Sequence, residues 1–183
     1  MRIDPAVIRP SQTALVVVDM VRDFTDPDGL VFYPMNRQIL PAIVRLVDLC
    51  HQTGTLVIFM QHRYRSGKYD RNLETMRPNC IEGSGGEALD PALPVDRERD
   101  YIIRKRRYSA FYGTDLDLVL REHGIKNVAV VGTKTNCCIR ATVHDAYFND
   151  YLPIVISDCV GTNSEEVNRV HLEDMDKYFG TVM

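Results

Sequence analysis

No stretch of about 18 consecutive apolar residues occurs in the chain, which removes a membrane-spanning helix from the expectations. The first ten residues, MRIDPAVIRP, carry an acidic residue and two prolines where a secretory signal needs an apolar segment. A cytoplasmic protein is therefore expected. Long basic runs are missing too, and the formal charge of −3 is spread along the chain, so neither a nucleic-acid footprint nor a membrane-surface stripe is indicated. The expected partner is a small molecule. The five cysteines, at 50, 80, 137, 138 and 159, form no C-x-x-C pair, and no histidine pair has ligand spacing. A disulfide framework or a structural zinc is not expected, and Cys50 and Cys159 read as small buried hydrophobes. Internal repeats, low-complexity tracts and a linker between two cores are also absent. With 183 residues, 45% apolar and 26% charged, the chain can bury one sizeable core, and one domain over 1–183 is expected.

What the chain does have is a series of short apolar runs. TALVVVDM (13–20) is continuous and β-branched, the pattern of a strand buried on both faces of a parallel sheet. GTLVIFM (54–60), DYIIR (100–104), NVAVVG (127–132) and LPIVISD (152–158) resemble it. Helix-period stretches fall between them at 35–52, 114–123, 136–149 and 164–178; in the first, Ile39, Leu40, Ile43, Val44, Leu46 and Val47 form one stripe. Alternating strands and helices imply right-handed crossovers, hence an α/β fold of three layers, Rossmann-like, with a mostly parallel sheet covered on both faces. Gly54 and Gly124 sit where helices should stop, and SEEV (164–167) offers a serine cap with carboxylates in the first turn. The segment 62–99, rich in glycine, proline and charge, is long for a connection and reads as functional or disordered.

Ligands of such sheets bind beyond the carboxyl ends of the strands. The residues just past the runs are Asp19, His62, Lys105 and the segment Thr133 to Cys138. Asp19, reached through LVVV, would be partly desolvated and so would need a cation or a raised pKa. Lys105 points to the same side as residue 103 and continues a buried row. The cysteines stand where a helix opens, and free N–H groups and the positive end of the macrodipole favour a thiolate there. A thiol, a carboxylate and an ammonium at three strand ends suit nucleophilic hydrolysis. Spacing alone leaves Cys137 and Cys138 as equal candidates.

Three segments, ALVVVDMVRDF (14–24), KRRYSAFYGTDLD (105–117) and VGTKTNCCIRATVHDAYFNDY (131–151), resemble the isochorismatase-like cysteine hydrolases, the family of nicotinamidases, N-carbamoylsarcosine amidohydrolases and ureidoacrylate hydrolases. The similarity runs from about residue 11 to 178. It implies a triad of Asp19, Lys105 and Cys138, a cis peptide between Thr133 and Lys134, and an oxyanion hole formed by the N–H groups of Lys134 and Cys138. In the implied reaction Asp19 takes the thiol proton and returns it to the leaving amine, Lys105 lowers the thiol pKa, and a thioester acyl enzyme is hydrolysed by water. Nicotinamidases of the family carry an Asp-x-His metal signature after the second strand. Here QHRYRSGKYD puts His62 and Tyr64 at those places, so no metal and no other cofactor are expected. The cysteine favours C–N hydrolysis, and the segment after the second strand most resembles the ureidoacrylate, carbamoylsarcosine and biuret branch. Isochorismatase- or nicotinamidase-type chemistry, or a non-catalytic ligand-binding member of the fold, are the rival readings. Phe24, His62, Arg107, Tyr108 and Phe111 are the substrate-binding candidates, with Arg63 and Arg65 as further arginines that could grip a carboxylate or carbonyl. The resemblance also implies a homo-oligomer, a dimer or tetramer, with 62–99 as a contact surface.

Overall fold

The computed structural model describes residues 8–183. Six strands form one sheet in the order β3-β2-β1-β4-β5-β6, every neighbouring pair parallel. They are β1 Thr13–Val18, β2 Leu56–His62, β3 Tyr101–Lys105, β4 Asn127–Thr133, β5 Leu152–Gly161 and β6 Thr181–Val182. The helices are α1 Arg22–Thr25, α2 Pro34–Thr53, α3 Leu116–Glu122, α4 Arg140–Phe148 and α5 Glu165–Tyr178. All six residues of β1 are buried, as a doubly covered parallel strand demands. Alternation divides them: Ala14, Val16 and Val18 pack with Leu116, Leu120, Val143 and Met175 from α3, α4 and α5, while Leu15 and Val17 meet Ile39, Ile43 and Val47 of α2. Three layers result.

The expected strands and long helices occur with ends shifted by a few residues. Gly54 is left-handed with φ 71° and caps α2, and the Ser164 side chain accepts from the Val167 amide at the start of α5. Two features lay outside the expectation. β6 is a two-residue edge strand, too short to carry a pattern of its own. β5 bulges: its pairing with β4 jumps from Val130↔Val155 to Gly132↔Val160, and the strand runs on to Gly161. Gly132 is itself dictated by the fold, since its φ is 111° and a Cβ there would collide with the Val18 carbonyl oxygen.

The long connection between β2 and β3 is ordered by buried carboxylates. Asp23 accepts from the amides of Cys80 (2.6 Å) and Leu30 (3.2 Å), and its own amide donates to the Gly86 carbonyl (2.9 Å). Asp90 accepts from Thr25 Oγ1 at 2.6 Å, and Asp70 from the Asn72 amide at 3.1 Å. Bonds of this charge-assisted kind are roughly twice as strong as neutral ones. They wrap the segment across the ends of β1 and β2.

Candidate active site

With all strands parallel, Asp19, His62, Lys105 and Thr133 emerge at one end of the sheet. Chain order doubles back between β1 and β4, so the crevice beyond those two strands is the switch point where such folds bind ligands. Asp19 immediately follows β1 and takes a left-handed φ of 57°, its amide donating to the Met60 carbonyl at 2.9 Å. Its side chain is fully buried.

Lys105 Nζ, also buried, lies 2.7 Å from Asp19 Oδ2, donates to the Arg107 carbonyl at 2.9 Å and reaches His62 Nδ1 at 3.4 Å. One ion pair and two hydrogen-bond acceptors thus surround the ammonium. An acceptor role for Nδ1 leaves the imidazole proton on Nε2. Burial, then the charges of Lys105 and Arg107, push the His62 pKa well down, and the ring is neutral.

Between Thr133 and α4 the chain makes a single π-helical turn, Thr135–Ile139, in which the Lys134 carbonyl accepts from the amides of Cys137 (2.9 Å) and Ile139 (3.1 Å). The Thr133–Lys134 peptide is cis. Asn36 of α2 holds this corner: its Oδ1 accepts from Thr133 Oγ1 at 2.7 Å and its Nδ2 donates to the Phe24 carbonyl at 2.9 Å. Thr142 Oγ1 donates to the Cys138 carbonyl at 2.7 Å and accepts from the Ala110 amide at 3.0 Å, tying the cysteine turn to the segment after Lys105.

The Cys138 side chain is buried beside Cys137 and is electrostatically coupled to Cys137, Lys105 and Asp19. The interaction with Cys137, then burial, push the Cys138 pKa well up, against the opposing charge of Lys105. Cys137 moves the other way, chiefly through its interaction with Cys138 and with help from the charge of Lys105. Burial likewise holds the Asp19 carboxyl well above the ordinary range despite Lys105. Burial pulls the Lys105 pKa down, but the charges of Asp19 and Cys138 win, and it stays protonated. The resting centre is a thiol beside a carboxylate that binds protons readily.

Cys137 and Cys138 open onto a pocket of about 160 Å³ whose wall includes Phe24, Tyr33, His62, Asn79, Tyr108 and Lys134. Lys134 Nζ stands over the Tyr33 ring, 4.7 Å from its centroid. Phe24, His62 and Tyr108, expected at the site, are there. Two expected residues are not. Phe111 packs on the Tyr151 ring, 5.9 Å between centroids, because the chain turns away into the core before α3. The Arg107 guanidinium turns to Asp70 at 3.0 Å and lines a different cavity together with Arg63 and Arg65.

Asn79 was not anticipated by the sequence. It is 1% exposed, its Nδ2 donates to the Arg77 carbonyl at 2.8 Å, and its Oδ1 is buried without a hydrogen-bond partner. The bond to Arg77 fixes which way the amide faces and leaves an acceptor waiting for a donor.

Metal binding by analogy with nicotinamidases does not fit these residues. His62 Nδ1 faces an ammonium, and Tyr64, in the expected histidine place, is buried with its hydroxyl accepting from Asn72 at 3.3 Å. Among the described residues no group of three or more His, Cys, Asp or Glu side chains is arranged to hold a metal ion.

The isochorismatase domain model matches residues 13–183. The chain belongs to the isochorismatase family. A probable inactive nicotinamidase of Arabidopsis thaliana is 33% identical over 172 residues, covering 89% of this chain and 87% of that protein. The ureidoacrylate amidohydrolase of Acinetobacter baylyi is 29% identical over 210 residues, covering 100% and 85%. Among solved structures, an isochorismatase-like hydrolase from Alkaliphilus metalliredigens superposes with a TM-score of 0.88 at 30% identity, covering 94% of each chain. The chain is thus an isochorismatase-family protein with hydrolases among its relatives, and no helix of its described residues is long and apolar enough to cross a membrane.

Proposed function

We propose that this isochorismatase-family protein is a metal-independent cysteine amidohydrolase, a single cytoplasmic domain cleaving a C–N bond in a small amide, ureido or N-carbamoyl compound. Because a probable inactive nicotinamidase is among its relatives, the reading rests on side chains and not on kinship. The observation that carries it is a buried carboxylate 2.7 Å from a buried ammonium at the strand ends, electrostatically coupled to a thiol that opens onto the adjoining pocket.

Asp19 takes the Cys138 proton as the sulfur attacks the substrate carbonyl carbon. Its raised pKa suits it to that role, since a base works best with a pKa near the working pH. Lys105, held charged by its ion pair with Asp19, gives up no proton; its charge stabilises the thiolate and the Asp19 carboxylate in turn. The carbonyl oxygen becomes an oxyanion that accepts from the amides of Lys134 and Cys138, each such donor being worth about 10² to 10³ in rate. Collapse breaks the C–N bond, Asp19 returns the proton to the leaving nitrogen, and a thioester remains. Water attacks the thioester, Asp19 takes the water proton, and the thiol is restored as the acid leaves.

The Asn79 Oδ1 acceptor supports a substrate with an N–H beside the scissile carbonyl, because a buried unpaired acceptor costs roughly 1 to 3 kcal/mol and gains most from such a donor. His62, with its proton on Nε2, supplies a neutral donor on the pocket wall, and Phe24 and Tyr108 flank the substrate. The active form is read as a homo-oligomer.

Ammonia release from biuret, N-carbamoyl amino acids, ureidoacrylate and nicotinamide tests the reading. A ureido or N-carbamoyl compound is expected to be the best substrate, with turnover falling on the order of 10³-fold or more in Cys138→Ala. Full activity of that variant, or preference for nicotinamide, would overturn the assignment.

A further inference from the structure

Next to the cysteine pocket, but sharing no wall residue with it, is a cavity of about 520 Å³ beyond the ends of β2 and β3. Its wall holds Arg63, Arg65, Lys68, Arg104, Arg106 and Arg107 against one carboxylate, Glu82, with Tyr112 at the rim. We propose that this cavity is a binding site for a small phosphate-bearing anion.

The local charge runs against the molecule. The chain as a whole carries −3, yet six cations gather here, answered by Glu82 and by Asp70 beneath them. Crowded like charges repel, and solubility does not call for them in a chain that already has a net charge. A bound anion of two or more charges removes the repulsion.

The cations divide into two sets. Arg106 and Arg107 are fixed by Asp70, at 3.3 and 3.0 Å, and Arg63 is paired with Glu82, so three guanidiniums are oriented in advance. Arg65, Lys68 and Arg104 have no carboxylate within ion-pair distance among the described residues, and Arg104 projects exposed from the edge strand β3. Planar guanidinium forks match phosphate oxygens two at a time, which favours phosphate over a singly charged carboxylate. The volume lies within the usual range for small-molecule sites, about 300 to 1,000 Å³, so it admits a phosphate ester as well as free phosphate. Tyr112, 68% exposed, offers a ring face on which a flat group attached to the phosphate could stack.

The site also touches the cysteine centre through the backbone. The carbonyl of Arg107, whose side chain lines the cavity, accepts from Lys105 Nζ at 2.9 Å. The proposal itself concerns binding and stands whether or not Cys138 turns over a substrate.

Calorimetric titration of the full chain with inorganic pyrophosphate, ATP and adenosine tests it, at low and high salt. Pyrophosphate and ATP are expected to bind at one site per chain, more weakly as salt rises, while adenosine does not bind. Each of Arg65→Gln, Lys68→Gln and Arg104→Gln is expected to weaken binding by about tenfold without lowering the melting temperature of these exposed-site variants. ATP binding tighter than pyrophosphate, with the difference lost in Tyr112→Ala, assigns the site to a nucleoside phosphate; equal affinities assign it to the phosphate group alone. No binding of either anion, or binding unchanged in the three variants, overturns the proposal. So does a salt-sensitive dimer that the same variants dissociate, which would give the cavity to a second copy of the chain.

Discussion

In the proposed reaction Asp19 is the residue on which pH acts. Its buried carboxyl is held well above the ordinary range by desolvation, with the Lys105 charge only partly opposing, and as a base it must be deprotonated to accept the thiol proton. Activity should therefore fall as pH drops through that raised value, so the acid limb of the kcat/KM profile should lie clearly above the usual aspartate pKa of about 4. A limb at the ordinary value would contradict the role given to Asp19. Thiol chemistry separates the five cysteines in the same way. Burial raises Cys50 to about 11 and Cys159 to about 12, while Cys137 is lowered and half-buried at the pocket wall. Iodoacetamide at neutral pH, followed by peptide mass mapping, should modify Cys137 first and the buried Cys50, Cys80 and Cys159 last. Faster labelling of any of these buried cysteines would contradict this ordering. Asp19 and Lys105 could be picked out from sequence because each ends an apolar run, and parallel strands bring such ends together; the choice of Cys138 over Cys137 came only from the resemblance to the family. Asn79 could not, since its burial depends on how an aperiodic connection folds back. Arg107 misled for a related reason: its guanidinium answers an acid 37 residues earlier, a pairing no local pattern announces.

Among the elements, β4 and the turn after it carry the tightest backbone constraint. Gly132 combines a φ of 111° with direct approach to the Val18 carbonyl oxygen of β1. Gly132→Ala should destabilise the protein by about 1 to 3 kcal/mol or more, read as a lowered midpoint in urea. An unchanged midpoint would mean that β1 and β4 can separate at no cost. The apolar runs gave away five strands because burial on both faces leaves little room for polar residues. β6 escaped notice because two residues define no period, and the β5 bulge did so because Ser157 and Asp158 read as the strand's end. The helix expected from 136 opens as a π-turn and becomes α-helical only at Arg140, a distinction of one hydrogen bond that side-chain spacing does not encode. Asn36 was half visible: it falls on the apolar stripe of α2, three residues before Ile39, where a polar side chain needs a buried partner.

Considered whole, the molecule is layered about β1 and β4, which pair with each other and lie inside the sheet, while β6 forms a short edge. Opening should follow that order. In native-state hydrogen exchange the amides of β1 and β4 should be protected to the global unfolding limit, and those of β6 should exchange through a smaller opening. Equal protection of Thr181 and Val130 would refute it. The class of fold was accessible from the sequence because strand and helix patterns alternate; the strand order was not, because pairing is settled by packing across the sheet. The candidate reacting groups stand on strand ends and on the turn after β4, whereas the β2–β3 connection beside them is fastened by a few carboxylates, Asp23, Asp70 and Asp90, outside the sheet. Evolution can retailor that connection for new compounds while the machinery beside it keeps its alignment, much as a lock can be rekeyed without replacing its bolt.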